Sequence, residues 1–331
     1  MNATLSPQIL IVTTKADITA DYVILKLENS NAHFYRINTE DFPLSATSTI
    51  RVKCGASSQE WTWTFSENKR AALEDVRCIW FRRHRLPVMP KELSKAHVEY
   101  CLRESDWFLR GLLYSREVAW MSSPKSIQVA ESKINQLFVA RSLGFRIPDT
   151  IVSNDPIEIR AFFTQKEGNV VAKPLRLGYF DYGAHQTSVF TTRVEEVDLQ
   201  DDESIRIAPV IYQELISKLC DIRVTIVDKQ LFAVAIDSQS IPAARIDWRQ
   251  TDAAELPHSV HVLPEDMIRA CLKLVEVLGL KFGALDFVLT PQGDYVFLEI
   301  NPNGQWTWIE DRLGLPISDS IAGWLVAHSR G

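Results

Sequence analysis

Phe297-Leu-Glu-Ile-Asn-Pro-Asn-Gly304, with Ala284-Leu-Asp-Phe-Val-Leu289 just upstream, is the stretch on which the reading of this chain turns. Both runs are short and apolar, and each is interrupted by oxygen-bearing side chains. Pro291-Gln292-Gly293 between them reads as a hairpin turn, so residues 282–290 and 294–300 are expected as paired strands. Glu299 and Asn301 are two positions apart and share one face of an extended strand. The turn brings Asp286 onto the neighbouring strand, where it can face them. Three oxygen donors converging in this way suit Mg2+, which takes few protein carboxylates and completes its shell with water and phosphate. A lone Asp in an apolar strand is more often a satisfied core polar group, but two carboxylates buried together need a cation.

Working outward, two lysines stand upstream of this acidic set. Lys173 ends the apolar run Val170-Val-Ala-Lys173, and Lys133 lies early in an amphipathic segment over 127–143 that stops at Gly144 with Pro148 beyond it. A lysine among apolar neighbours ordinarily snorkels or pairs. Two of them ahead of a metal-binding set are the compact point charges a triphosphate requires. Residues 210–215, 221–227 and 230–237 read as successive strands, and 267–278 and 317–327 as helices. Between Lys173 and Ser188 the sequence offers Gly178 and Gly183 amid Tyr179, Phe180 and Tyr182, a loop expected to be irregular and to cover phosphate as a lid. The first third alternates strand-like runs (9–13, 32–37, 50–52, 61–65, 76–81) with helical periodicity over 17–26 and 92–113, as an α/β lobe does. Ser122-Ser123-Pro124 punctuates the chain, so lobes are expected at 1–121, 122–208 and 209–331.

Composition narrows the function classes. The chain has 331 residues, 46% of them hydrophobic, which allows a large core in two or three lobes. A net charge of -6 gives no general basic footprint for nucleic acid, and Phe81-Arg82-Arg83-His84-Arg85, the densest basic run, reads equally as a solvated strand end. Cys54, Cys78, Cys101, Cys220 and Cys271 are widely spaced with no metal-ligand spacing, so reduced thiols and a cytoplasmic location are expected. No run reaches the ~20 apolar residues of a membrane span. No Ser-His or Cys-His motif speaks for a hydrolase.

The order of these elements resembles the ATP-grasp superfamily over residues 122–330: a lysine on a helix before Gly144-Phe145, a lysine after Val170-Val-Ala172, then Tyr212-Gln-Glu-Leu-Ile216, Asp221-Ile-Arg223, Ala284-Leu-Asp-Phe287 and Leu298-Glu-Ile-Asn-Pro-Asn-Gly304. Within it the chain resembles the graspetide, or microviridin-type, maturases that install macrocyclic links in ribosomal peptides. That narrower likeness also draws on Arg36-Ile-Asn-Thr-Glu-Asp-Phe-Pro43, Ile79-Trp-Phe-Arg-Arg83, Asp247-Trp-Arg249 and Asn303-Gly-Gln-Trp306. The resemblance implies an α/β ATP-grasp fold with an N-terminal pre-ATP-grasp lobe, a central lid lobe and a C-terminal metal-binding lobe. It implies that Lys133 and Lys173 hold ATP phosphates, and that Gln213, Glu214, Leu215 and Ile216 form the hinge that reads adenine. Asp221 would lie near the ribose or the substrate. Asp286, Glu299 and Asn301 would hold Mg2+, and Arg223 and Arg249 would face the γ-phosphate and the acyl phosphate.

One departure matters. Superfamily members often carry an arginine two residues before the first metal carboxylate, and here that position is Ala284. Arg223 is expected to supply the missing charge, the alternative being an ion pair with Asp221. The partner implied is a ribosomal precursor peptide, leader plus core, with Asp or Glu side chains joined to Ser, Thr or Lys. A ligase of free amino acids or of a protein's C-terminal tail stays open at this point, as does a non-catalytic nucleotide-binding module. So does the oligomeric state, a homodimer included.

Overall fold

The β-branched run Ile9-Leu-Ile-Val-Thr13 lies at the heart of a parallel sheet, buried along its whole length as a strand covered on both faces must be. A computed structural model shows this, describing residues 3–52, 60–66, 69–115, 117–176, 178–181, 186–252 and 255–330. The chain divides into two compact units: Met1–Lys125 with Gln305–Thr307 and Pro316–Gly331, and Ser126–Gly304 with Trp308–Leu315.

In the first unit β1 (Ala3–Leu5) precedes β2 (Ile9–Thr13), followed by α1 (Ile18–Asn29), β3 (Phe34–Asn38), β4 (Thr47–Arg51), β5 (Glu60–Ser66), β6 (Lys69–Ala72), β7 (Cys78–Phe81), α2 (Lys95–Tyr114) and β8 (Ala119–Trp120). The parallel sheet runs β3-β2-β7-β8, and a second sheet runs β1-β6-β5-β4. Trp61 and Trp63 of β5 fill the core with Phe42, Leu109 and Leu112. The C-terminal helix, Ile317–Ser329, belongs to this unit, where it packs on α1 and β7 and buries Ile317, Ile321 and Leu325. Sequence proximity places it in the C-terminal lobe; its apolar face finds its partner some 300 residues back in the chain instead, as the Lys26–Asp319 ion pair (2.9 Å) also records.

In the second unit the single helix expected over 127–143 is broken. α3 (Pro124–Ala130) and α4 (Lys133–Ser142) are separated at Glu131 and Ser132, and the Ser132 hydroxyl caps α4 by accepting the Asn135 amide at 3.4 Å. Then come β9 (Thr150–Ser153), α5 (Pro156–Gln165), β10 (Val170–Lys173), β11 (Gly178–Asp181), β12 (Gln186–Val189), β13 (Thr192–Arg193), α6 (Asp202–Ile207), β14 (Val210–Glu214), β15 (Cys220–Val227), β16 (Gln230–Ile236), β17 (His258–Val260), α7 (Glu265–Val277), β18 (Phe282–Leu289), β19 (Tyr295–Asn301) and α8 (Thr307–Leu313). Two antiparallel sheets result, β13-β10-β14-β9 and β17-β16-β15-β18-β19. The backbone of β11 and β12 forms an antiparallel pair where an irregular loop is expected; Tyr182 and Gly183 lie outside the described residues. No described helix is long and apolar enough to cross a membrane.

Candidate active site

Strand register builds the centre of the site. Arg223 of β15 stands opposite Asp286 of β18, and Asp286 stands opposite Glu299 of β19, so three charged side chains occupy one rung across three neighbouring strands. A bulge follows at once, because Phe287 pairs with Phe297 and leaves Leu298 as the extra residue. Strict alternation would place Phe297 on the same face as Glu299; the bulge sends the ring into the core and keeps the carboxylate in the site. Asn301, opposite Ala284, lies one rung further along the face of Glu299.

Each carboxylate is held by protein cations. Arg223 Nη1 donates to both oxygens of Asp286, at 2.9 and 2.7 Å, and both side chains are buried. The alternative pairing of Arg223 with Asp221 does not occur: Lys218 Nζ donates to both Asp221 oxygens at 3.1 and 2.9 Å, and the Ser238 hydroxyl adds a 2.5 Å bond. Glu299 accepts from Lys133 (3.2 Å) and from Arg249 Nη1 (3.1 Å). Burial alone would raise Glu299, but Lys133, Arg249 and Lys173 hold it down to about 2. Burial pushes Asp286 above the usual carboxylate range against the pull of Arg223, and Glu299 beside it adds to the rise. Burial likewise raises Asp221.

Ala284 has a steric reason. A Cβ on Gly304 would lie 2.5 Å from the Ala284 Cβ and 2.9 Å from Arg223 Nη2, so the loop after β19 presses on the same spot that the guanidinium occupies. A long side chain at 284 has no room there while Arg223 fills it.

The lysines approach from the other sheet and from α4. Lys173 is buried at the end of β10, where desolvation lowers it to about 8 despite the attraction of Glu299. Lys133, the first residue of α4, also donates to the Pro174 carbonyl at 3.0 Å. Its aim depends on a residue that sequence reasoning overlooks, Gln136. One turn along α4, the buried Gln136 amide donates to the carbonyls of Ala130 (2.6 Å) and Ile300 (2.8 Å) and accepts from Ile300 N (3.0 Å). It thus pairs with β19 as a strand would and fixes α4 beside Glu299. A glutamine in an amphipathic helix carries no sequence signal for this.

Gln213, Glu214, Leu215 and Ile216 line the cavity. Gln213 is itself spent on structure, its amide donating to Thr150 Oγ1 at 2.8 Å, and Glu214 N bonds Asp149 O at 2.9 Å. β14 ends at Glu214, and Leu215 N is also spent, on Asn169 O at 2.9 Å, so the Leu215 carbonyl and the Ile216 backbone are what remains for a ligand to read. Asp221, Arg249, Asp286 and Glu299 line the same cavity. All the residues expected from the sequence therefore converge on the second unit; Lys218, Gln136 and Asp247 are the additions.

The donor set fits Mg2+. Asp286, Glu299 and Asn301 offer hard oxygens only, and among the described residues no cluster of three His, Cys, Asp or Glu side chains forms a rival metal site. Burial and the neighbouring Glu299 raise the Asp286 carboxyl despite Arg223, and a bound cation would favour its charged form.

A family model described as the MvdD pre-ATP grasp domain matches residues 8–128. Three solved structures are similar over nearly the whole chain. The RiPP-associated ATP-grasp ligase of Chryseobacterium gregarium, solved with ADP and a leader and core peptide, is 29% identical, covers 96% of each chain and superposes with a TM-score of 0.88. Macrocyclase MdnC of Microcystis aeruginosa MRC, bound with precursor peptide MdnA, is 31% identical over 98% of this chain and 100% of that one, with a TM-score of 0.85. Macrocyclase MdnB of the same organism is 32% identical over 97% and 99%, with a TM-score of 0.81. No curated protein matches the sequence.

Proposed function

Because the chain belongs to the family of the macrocyclases MdnC and MdnB, the RiPP-associated ATP-grasp ligases, we propose that it joins side chains of a ribosomal precursor peptide in an ATP-dependent, ADP-forming reaction. The observation that carries this reading is the charged rung Arg223–Asp286–Glu299 with Lys133 and Arg249 closed on its acidic end. Without nucleotide these cations serve the carboxylates; a nucleotide's phosphates can take them over while the carboxylates turn to a divalent ion.

Lys133 and Lys173 hold the phosphates as point charges. Leu215 and Ile216 present backbone to the adenine, and the buried Asp221 stands at the ribose or substrate end of the same cavity. Asp286, Glu299 and Asn301 would hold Mg2+, which when bound would screen the phosphate charge. A carboxylate oxygen of the peptide attacks the γ-phosphorus; the bond to the bridging oxygen breaks and ADP leaves with its electron pair. Arg223 and Arg249 stabilise the charge spread over the equatorial oxygens, by position and electrostatics rather than covalent chemistry. A hydroxyl or amine then attacks the acyl carbon, loses its proton and expels phosphate, leaving an ester or amide and closing a ring. No protein nucleophile takes part.

The lobes expected at 122–208 and 209–331 draw support from the two sheets, with one adjustment: β14 lies past residue 208 yet pairs in β13-β10-β14-β9, so it goes with the central lobe, and the five-stranded sheet serves as the metal-binding lobe. The negative net charge supports a peptide rather than nucleic acid as partner, and a cytoplasmic place of action accompanies reduced thiols. A homodimer draws support from α2, whose Tyr100, Trp107 and Tyr114 recur every seven residues with 56, 64 and 49% of their surface exposed; light scattering of a Trp107→Glu variant decides it.

The test is turnover. Purified enzyme with MgATP and a precursor peptide should release ADP only when the peptide is present, and each link should cost the peptide the mass of one water. ADP release that is indifferent to peptide and follows free amino acids instead would overturn the reading.

A further inference from the structure

Asp247, in the run Asp247-Trp-Arg249, lines the same cavity as Lys173 and Glu299. It is buried, at 5% exposure, and the hydrogen bonds of its carboxylate run to two residues, Arg249 and Thr191. Its Oδ1 accepts from Arg249 Nε at 2.8 Å and from the Arg249 backbone N at 3.1 Å. Its Oδ2 accepts from Arg249 Nη2 at 2.8 Å and from the backbone N of Thr191 at 3.0 Å. The guanidinium is therefore gripped along its Nε–Nη2 edge, the fork geometry that fixes a planar cation in both direction and plane. The remaining Nη1 is turned to Glu299, 3.1 Å away. Thr191, two residues past the end of β12, is held a second time, its carbonyl accepting from Gln250 Nε2 at 3.1 Å.

We infer that Asp247 is a positioning residue for phosphoryl transfer, presetting the Arg249 guanidinium toward the Glu299 end of the site and tying it to the backbone that leaves the β11–β12 hairpin. The inference rests on the ligase reading for the identity of the step, but not for the clasp itself. Orientation is what such a device contributes, since an arginine held in place stabilises developing charge without reorganising. The pairing is strong in the ground state: burial alone would raise Asp247, yet Arg249 holds it below the usual carboxylate range.

A plainer role competes. Asp247 caps the short turn Trp248–Gln250 through the Arg249 amide, and a cap needs only one acceptor oxygen, which Asn supplies as well as Asp. Asp247→Asn therefore separates the two. Keeping the cap but losing the charged fork, it should lower kcat ~10²-fold at saturating MgATP and precursor peptide, with KM for ATP changed less than about threefold. Arg249→Lys should fall comparably, and the double variant no further than the slower single variant, because Asp247 acts through Arg249. In ligand-free enzyme the Thr191 amide should exchange faster with solvent deuterium in Asp247→Asn than in wild type. Near wild-type kcat in Asp247→Asn, additive losses in the double variant, or unchanged exchange at Thr191 would each overturn the inference. If the wild-type enzyme turns over no precursor, the ligase reading fails separately, and the exchange at Thr191 alone decides the clasp.

Discussion

Asp286 carries two duties, and they can be measured apart. It is a metal-ligand candidate and also the buried partner of Arg223. Asp286→Ala and Glu299→Ala should both abolish peptide-dependent ADP release. The two differ in their effect on stability, because Asp286→Ala also takes the acid from the buried Arg223 pair. Breaking a buried pair from one side costs about 3–5 kcal/mol, so the urea midpoint should drop, and an unchanged midpoint would show that Arg223 swings free to solvent. Arg223→Lys should keep ATP binding and slow the chemical step ~10²-fold or more, as expected on losing an oriented donor; near wild-type kcat would transfer the role to Arg249 or the metal. Lys173 adds a pH dependence. Burial sets it at about 8 without ligand, and phosphate contact favours its charged form. Below that value the lysine is already charged; above it, ATP binding must take up a proton, so ATP affinity should weaken as pH rises past about 8. Calorimetry should find this slope in wild type and not in Lys173→Met, whose affinity is lower throughout.

At the scale of elements, the strands that carry the site were legible and their irregularities were not. The Pro291-Gln292-Gly293 turn and the alternation on either side predict β18 and β19, and two-residue spacing puts Glu299 and Asn301 together. The bulge at Leu298 has no such signature, because it arises from fitting Phe297 into a core of Phe145 and Phe287 while Glu299 faces the other way. The break between α3 and α4 is similar. The apolar periodicity runs through it, whereas the Ser132 cap and the Gln136 bonds to Ile300 fix where α4 begins. Gln136→Leu should therefore act at a distance. It strands the backbone N and O of Ile300 in a buried place, at about 1–3 kcal/mol for each unsatisfied group, and frees α4 to move Lys133 away from Glu299. The expected result is a lower melting temperature together with weaker ATP binding. A variant that loses stability but binds ATP normally would show that Lys133 needs no such support.

Across the whole molecule, the two compact units trade segments, Gln305–Thr307 and Pro316–Gly331 joining the first. Removing residues 316–331 should unfold the first unit, since Ile317, Ile321 and Leu325 are fully buried there and each such side chain contributes roughly 1.5–3 kcal/mol. A soluble truncated protein with a native-like urea midpoint would refute that assignment. The helix itself was plain from its apolar residues, but its partner was not, because periodicity reports which face is buried and never against what. The same division holds for the site. Residue chemistry and short spacings by themselves determined the strands and the ATP-grasp resemblance, and singled out Asp286, Glu299, Asn301 and the two lysines as candidates, all of which are local or ordered along the chain. Only the tertiary structure decided which cation serves which carboxylate: Arg223 with Asp286, Lys218 with Asp221, and Arg249 shared between Asp247 and Glu299. The reason is that opposite charges pair by distance in space, and the register of three strands, the bulge and the Gly304 loop set those distances.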